Sequence, residues 1–261
     1  MEKKKKKKSW IWSILFVVAL CVFVYSGYQL YHIFSQNHEE SEEKQTLTSI
    51  AKIPENPKPE EEPFTIDWAA LQERNPDICG WIIIPDTDIS YPIVQGTDNE
   101  FYLTHTFLKA ENYAGAIFMD YQADRTFKDF NTFIYGHNVK HGTMFAELEN
   151  FKDASFYEAH PYIYLFTPDG NYRCEVVSMY STTDQSASYT TYTGDEENYL
   201  KYVDLVKGLA ENIREVDVKG SEHMITLSTC SYERGGEASD ARYLLHAKMV
   251  PWNDDYMVKK D

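Results

Sequence analysis

Short runs of apolar, β-branched and aromatic residues recur between residues 80 and 250, and Gly, Pro, Asn and Asp separate them. These runs predict strands at 80–84, 89–94, 114–120, 131–136, 162–166, 172–180, 224–230 and 241–250. A short helix is predicted over 68–74, and one long helix with apolar residues at helical spacing over 196–213, just before the strand that ends in Cys230. Many short strands with one late inserted helix favour a mainly β fold, a closed β-barrel with helical additions.

The N-terminal region has a different composition. Six lysines at 3–8 precede a run without charge from Trp10 to Tyr31, close to the ~20 residues that cross a bilayer. We expect a cytoplasmic basic tail at 1–9, a transmembrane anchor at 10–34, a disordered acidic, proline-containing spacer at 35–63 and an extracellular domain at 64–261. A cleaved signal peptide is the main alternative and a basic tail with a buried helix a more remote one; the length of the apolar run favours an anchor.

The net charge of −16 is unevenly distributed, since residues 1–9 carry +5 and the rest of the chain therefore carries −21. An acidic body argues against nucleic-acid partners. The cysteines Cys79, Cys174 and Cys230 lie in this body without any CxxC pair, so no metal site is expected. A Cys79–Cys174 disulfide stays open at this point, although we favour free thiols.

Cys230 is the candidate nucleophile, because it ends a predicted strand and the loop 231–236 follows it. The next predicted strand begins with Ala241-Arg242, and two strands joined by a short loop are expected to be neighbours. This places a guanidinium near the thiol, where its positive charge would stabilise both a thiolate and an oxyanion. The alternative is that Cys230 is a small buried hydrophobe.

A catalytic cysteine needs an imidazole partner, and the chain has eight histidines. His137 is best placed, because it follows the predicted strand 131–136 in Tyr135-Gly136-His137-Asn138. His105 and His141 lie in loop-like stretches and remain candidates, whereas His246 falls inside a strand, where a core or surface position is expected. An exposed turn histidine is the alternative interpretation of His137.

Three motifs together resemble sortases, the cysteine transpeptidases of Gram-positive cell surfaces: Tyr135-Gly136-His137-Asn138, Thr226-Leu227-Ser228-Thr229-Cys230 and Ala241-Arg242-Tyr243. The resemblance spans roughly residues 65–252. The stretches 75–82 and 91–96 and the helix before the cysteine strand are similar to class B. Ser231 departs from the pattern, since some class B members carry Glu directly after the cysteine.

The resemblance implies an eight-stranded barrel in which Cys230 attacks the threonine carbonyl of a C-terminal sorting motif and forms a thioester. His137 would act as acid and then base, and Arg242 would stabilise the oxyanion. A peptidoglycan amine would accept the surface protein, and no cofactor or metal is implied.

Class B resemblance also implies substrate-binding residues, and for the tyrosines among them ordinary loop packing is the alternative. These residues are Asn99, Leu103, Ser228, Thr229, Tyr189 and Tyr192. Three other functions stay open: a sortase that polymerises pilins, a cell-surface cysteine hydrolase, and an inactive surface binding module.

Overall fold

The computed structural model describes residues 3–54, 56–60, 64–140, 142–190, 195–232 and 240–252, and the side chains from residue 10 onward. Residues 1–42 form one unit and residues 43–261 a second, larger one. The helices are α1 (Lys3–Ala51), α2 (Trp68–Arg74), α3 (Ala154–Ala159) and α4 (Glu196–Gly208). Three 3₁₀ helices cover Phe101–Leu103, Ala146–Lys152 and Ala187–Tyr189.

The strands are β1 (Ile78–Ile83), β2 (Ser90–Val94), β3 (Ile117–Met119), β4 (Asn131–Tyr135), β5 (Tyr162–Thr167), β6 (Gly170–Thr183), β7 (Asn212–Ile213), β8 (Met224–Cys230) and β9 (Ala241–Pro251). They pair in the order β5-β1-β2-β3-β4-β8-β9-β6, and β6 pairs with β5 to close the ring. The closed eight-stranded barrel is therefore confirmed. The two-residue β7 lies outside the ring, on β6.

The barrel interior is filled by apolar side chains that alternate along the strands, such as Ile82, Ile134, Leu227 and Leu245. A second apolar cluster lies outside the barrel, where α2 and β1 contribute Leu71 and Trp81. A third lies beneath α4, whose side chains Tyr199, Tyr202, Val203 and Val206 pack on β6, β8 and β9. The inserted helix thus covers one outer face of the sheet.

Local signals explain where the helices begin and end. The Asp67 carboxylate accepts from Ala70 N and caps α2, and Asp195 caps α4 in the same way. The predicted helix over 196–213 ends at Gly208, because Asn212 and Ile213 pair with the backbone of β6 instead. Tertiary pairing replaces the last turn of the predicted helix.

The segment 35–63 differs from the disordered spacer predicted there. Helix α1 continues to Ala51, and Leu47, Ala51 and Ile53 are buried in the second apolar cluster. Leu47 and Ala51 are four residues apart and share one helical face, which the acidic composition of the segment conceals. Proline restricts the residue before it, and α1 ends before Pro54.

One described helix is long and apolar enough to cross a bilayer. It is the part of α1 from Trp10 onward, with a mean hydropathy of 2.1 over its most apolar window and no burial there. The anchor at 10–34 and the tail at 1–9 remain predictions, whereas the second unit begins at Glu43, ahead of the boundary predicted at 64.

Candidate active site

His137 and Cys230 leave the same end of two neighbouring strands. Strands β4 and β8 are parallel and in register, with Tyr135 opposite Ser228. Each candidate lies two residues beyond this last pair, and Gly136 N donates to Ser228 O at 3.2 Å. Carboxyl ends of parallel strands open at one edge, so the sheet places His137 and Cys230 side by side at the same end of the barrel.

Gly136 is required for close packing beneath the histidine. A Cβ at this position would collide with Ile117 Cδ1 and would lie 2.7 Å from Cδ2 of Phe145. Any side chain here would push the His137 turn away from the barrel.

Two hydrogen bonds fasten the His137 turn to the Cys230 loop. The buried Asn138 donates from Nδ2 to the carbonyl of Cys230 at 2.9 Å, and the Tyr232 hydroxyl donates to the carbonyl of Asn138 at 2.6 Å. Each loop therefore uses a side chain to hold the backbone of the other. The relative position of thiol and imidazole is fixed by these contacts as well as by the strands.

Arg242 lies directly opposite Cys230 in the antiparallel pair of β8 and β9. Ser231 N donates to Ala241 O at 2.9 Å, which makes Cys230 and Arg242 a non-hydrogen-bonded pair with side chains on one face. The guanidinium donates from Nη1 to Ala241 O at 2.9 Å and from Nη2 to Asp184 Oδ2 at 3.3 Å. Cys230 and Arg242 are thus neighbours across the β8–β9 pair, as the short connection between the two strands predicts.

The half-buried His137 ring is oriented by a backbone contact. Its Nε2 lies 2.8 Å from the carbonyl of Leu103, which only accepts, so Nε2 carries a hydrogen. The backbone of Leu103 therefore borders the imidazole, and Leu103 is 37% exposed. His105 instead stacks on Phe101 with ring centroids 4.0 Å apart, His246 is fully buried, and His141 lies outside the described residues.

Cysteine accessibility separates Cys230 from the other two thiols of the body. Cys79 and Cys174 are buried, unpaired thiols of the barrel interior, and burial raises the pKa of Cys79 to about 12. Burial raises the pKa of Cys174 as well. Cys230 is half-buried at the barrel end, as a nucleophile requires. Within the described residues no cluster of His, Cys, Asp and Glu has a metal-binding arrangement.

The predicted substrate residue Asn99 belongs to a polar cluster around Asp120. Asn99 Nδ2 and the Tyr135 hydroxyl both donate to Asp120 Oδ2, at 2.9 and 3.0 Å, and Asn99 Oδ1 accepts from Tyr121 N. Burial, together with the Asp120 carboxylate, raises the pKa of the Tyr135 hydroxyl, which keeps it a donor. Sequence reasoning missed both partners, although Tyr135 lies in the quoted histidine motif and Asp120 ends a predicted strand.

Ser228 and Tyr189 are brought together, with their hydroxyls 2.7 Å apart. Burial raises the pKa of Tyr189 to about 12. Thr229 differs from its predicted role, because side chains alternate along β8 and Thr229 therefore faces away from Cys230. It is 2% exposed and lies opposite Tyr243, whose side chain belongs to the barrel core. Tyr192 lies outside the described residues.

Comparison with known proteins agrees with this geometry. A family model described as Sortase domain matches residues 82–250. Sortase B of Listeria monocytogenes is 34% identical over 258 residues, which cover 94% of this chain and 99% of that protein. Sortase B of Staphylococcus aureus is 32% identical over 240 residues, covering 91% of this chain and 94% of that protein.

Solved structures show the same similarity. Sortase B from Bacillus anthracis in complex with AAEK1 superposes with a TM-score of 0.73 at 31% identity, covering 84% of this chain and 100% of that one. A Staphylococcus aureus sortase B–substrate complex superposes with a TM-score of 0.66 at 32% identity, covering 71% of this chain and 85% of that one. With the barrel, the motif order and these relatives in agreement, the chain belongs to the sortase family of cysteine transpeptidases and is of the class B type.

Proposed function

We propose that this sortase cleaves a C-terminal sorting motif of surface proteins after threonine and transfers the protein to a peptidoglycan amine. The observation that supports this proposal is that Cys230, His137 and Arg242 lie at the same end of three adjacent strands, β8, β4 and β9. A thiolate, an acid–base group and a cation are what acyl transfer from an amide to an amine needs.

In the first step the Cys230 sulfur attacks the threonine carbonyl. The S–C bond forms, the peptide C–N bond breaks, and His137 gives a proton to the leaving amine. Arg242 lies opposite the cysteine and would stabilise the negative charge that develops on the carbonyl oxygen. In the second step an amine attacks the thioester, its proton passes to His137, and the new C–N bond replaces the C–S bond.

The substrate side of the site would be formed by Asn99, Leu103, Ser228 and Tyr189. Leu103 is an exposed apolar residue whose backbone carbonyl contacts His137, and the Ser228–Tyr189 hydroxyl pair lies on the cysteine face of β8. The complex of Staphylococcus aureus sortase B with a substrate supports substrate binding by this kind of fold.

The apolar part of α1 would anchor the enzyme in the membrane. Lysines precede the span, so the positive-inside rule places residues 1–9 in the cytoplasm and the barrel outside the cell. This topology would deliver the active site to the compartment in which surface proteins and peptidoglycan meet.

The test uses the full chain in detergent micelles with a library of sorting-motif peptides and an amine such as triglycine or diaminopimelate. An amine-linked product that disappears in Cys230→Ala, His137→Ala and Arg242→Ala supports the proposal. Cysteine-dependent cleavage without amine transfer would instead indicate a hydrolase. The absence of any Cys230-dependent turnover would refute the proposal.

A further inference from the structure

We propose that a closed ring of buried hydrogen bonds beneath α4 is a positioning device for the peptide-binding site. The ring holds Ser188, and thereby sets where the next residue, Tyr189, meets Ser228. This inference rests on the proposed function, because it assigns the ring to binding of the sorting peptide. We name it the polar ring, and its members are Asn131, Thr226, His246, Tyr180, Ser188 and Tyr202.

On one side of the ring, four hydrogen-bond contacts lead from Asn131 of β4 to Ser188 of the 3₁₀ helix Ala187–Tyr189. Thr226 Oγ1 donates to Asn131 Oδ1 at 2.8 Å and lies 2.8 Å from His246 Nδ1. His246 Nε2 lies 3.0 Å from the Tyr180 hydroxyl, whose oxygen lies 2.7 Å from Ser188 Oγ. Tyr180 also stacks on the His246 ring, with centroids 5.4 Å apart.

Two contacts through α4 close the ring. Asn131 Nδ2 donates to the Tyr202 hydroxyl at 3.0 Å, and Tyr202 donates to the backbone carbonyl of Ser188 at 3.0 Å. Ser188 is therefore held twice, once through its side chain and once through its backbone. The two attachments fix both its position and its orientation.

The polar ring is sealed from solvent, since none of its six members is more than 2% exposed. Burial lowers the pKa of His246 to about 3, so the imidazole is neutral and presents one donor and one acceptor to its two hydroxyl partners. A polar group buried this deeply costs free energy unless it is hydrogen-bonded, so the ring tolerates few alternative arrangements.

Ser188 connects the polar ring to the peptide-binding site. Tyr189 follows Ser188, stacks on Phe133 with ring centroids 5.4 Å apart and places its hydroxyl 2.7 Å from Ser228 Oγ. Ser228 lies two residues before Cys230 and shares its face of β8. A shift of Ser188 would move Tyr189 relative to the thiol.

Apolar packing under α4 cannot supply the same precision. Val203 and Val206 bury side chains against the sheet, but the hydrophobic effect is non-directional. Hydrogen bonds depend on distance and angle and therefore select one register. The apolar residues of α4 therefore hold the helix on the sheet, and the polar ring sets the position of Tyr189.

The test is Thr226→Val, which keeps the shape of the side chain and removes the hydroxyl between Asn131 and His246. The full chain in detergent micelles is assayed with the sorting peptide that the wild type cleaves, and alkylation of Cys230 by iodoacetamide is measured in parallel. We expect KM to rise about tenfold, as for a lost buried hydrogen bond, with alkylation within about twofold of the wild type. Thr226→Ser, which restores the hydroxyl, should bring KM back.

Val206→Ala is the matched control, because it loosens the same helix without touching the ring. Even if Val206→Ala loses as much thermal stability as Thr226→Val, it should leave KM near the wild-type value. An unchanged KM in Thr226→Val, or an equal rise in Val206→Ala, would overturn the proposal. If Thr226→Val does not fold, Tyr180→Phe, which removes the hydroxyl between His246 and Ser188, is measured against the same control.

A second readout does not depend on activity. Thr226→Val should speed hydrogen exchange of the Tyr189 amide, which donates to Ser186 O, whereas Val206→Ala should not. Equal exchange in the two variants would refute the ring as a positioning device. If the wild type cleaves no peptide, the proposed function fails, and this measurement still decides whether the ring holds the Tyr189 turn.

Discussion

Asn138, the residue directly after His137, donates from its side-chain amide to the backbone carbonyl of Cys230 at 2.9 Å. The contact ties the nucleophile to the turn that carries its acid–base partner. Tyr232 returns the contact by donating to the carbonyl of Asn138. Productive geometry in a two-residue catalytic pair depends on such supports, because small displacements of reacting groups reduce rates strongly.

Asn138→Ala should lower kcat/KM about 10- to 100-fold, because the Cys230 carbonyl loses its donor and the two loops separate. Tyr232→Phe keeps the ring and removes only the hydroxyl, so it should give a smaller loss. Steady-state cleavage of the sorting peptide measures both. In a double-mutant cycle the two losses should not add, and strict additivity would show that the two contacts act independently.

Asp184→Asn tests whether the carboxylate aims the Arg242 guanidinium. We expect kcat to fall several-fold, with KM less affected, because the oxyanion partner loses its orientation. The control is Glu175→Gln, which removes a carboxylate from the remote pair with Lys248. Equal kinetics for the two variants would show that Asp184 does not orient the Arg242 guanidinium for catalysis.

Tyr135→Phe should raise KM several-fold without altering Cys230 alkylation. The variant removes the hydroxyl that donates to Asp120 Oδ2, the oxygen that also orients Asn99. Tyr121→Phe is the control, since Tyr121 is 46% exposed and contacts Asn99 through its backbone. A wild-type KM in Tyr135→Phe would show that the Asp120 cluster does not contribute to peptide binding.

Gly136→Ala should destabilise the fold by about 1–3 kcal/mol, because the added methyl overpacks the space shared with Ile117 and Phe145. Gly170→Ala is the matched control, since a Cβ there meets nothing within 4 Å. Thermal unfolding compares the two variants. Equal melting temperatures would mean that the His137 turn adjusts without cost.

Stability should fall in acid partly through His246. Its pKa is about 3 in the folded chain against 6.5 for an ordinary histidine, so the unfolded chain binds the proton first as the pH falls. The stabilising contribution is complete above pH 6.5 and is lost as the pH falls towards 3.

His246→Gln should therefore lose roughly 2 kcal/mol less than the wild type between pH 7 and pH 5, although it starts from a lower stability. Chemical unfolding in detergent micelles at both pH values measures the difference. Parallel losses in wild type and variant would show that His246 does not carry this acid sensitivity.

Hydrophobic pattern alone predicted the strands and the closed barrel, because alternation of apolar side chains is a local property. The same runs positioned Cys230 and His137 at strand ends, and the short connection predicted that Arg242 would be close to the cysteine. Thr229 illustrates a limit, since sequence adjacency to Cys230 suggested a shared role whereas strand alternation turns it into the core.

Local sequence patterns were sufficient to predict the strands of the barrel, the apolar span at 10–34 and the three candidate catalytic residues. The folded chain was needed to find the contacts around the site: Asn138 on Cys230, Asp184 on Arg242, and the polar ring on Ser188 next to Tyr189. It also decided that residues 47–53 pack on the body. Periodicity and turn chemistry act between near neighbours in sequence, whereas these contacts join residues that only the folded barrel brings together.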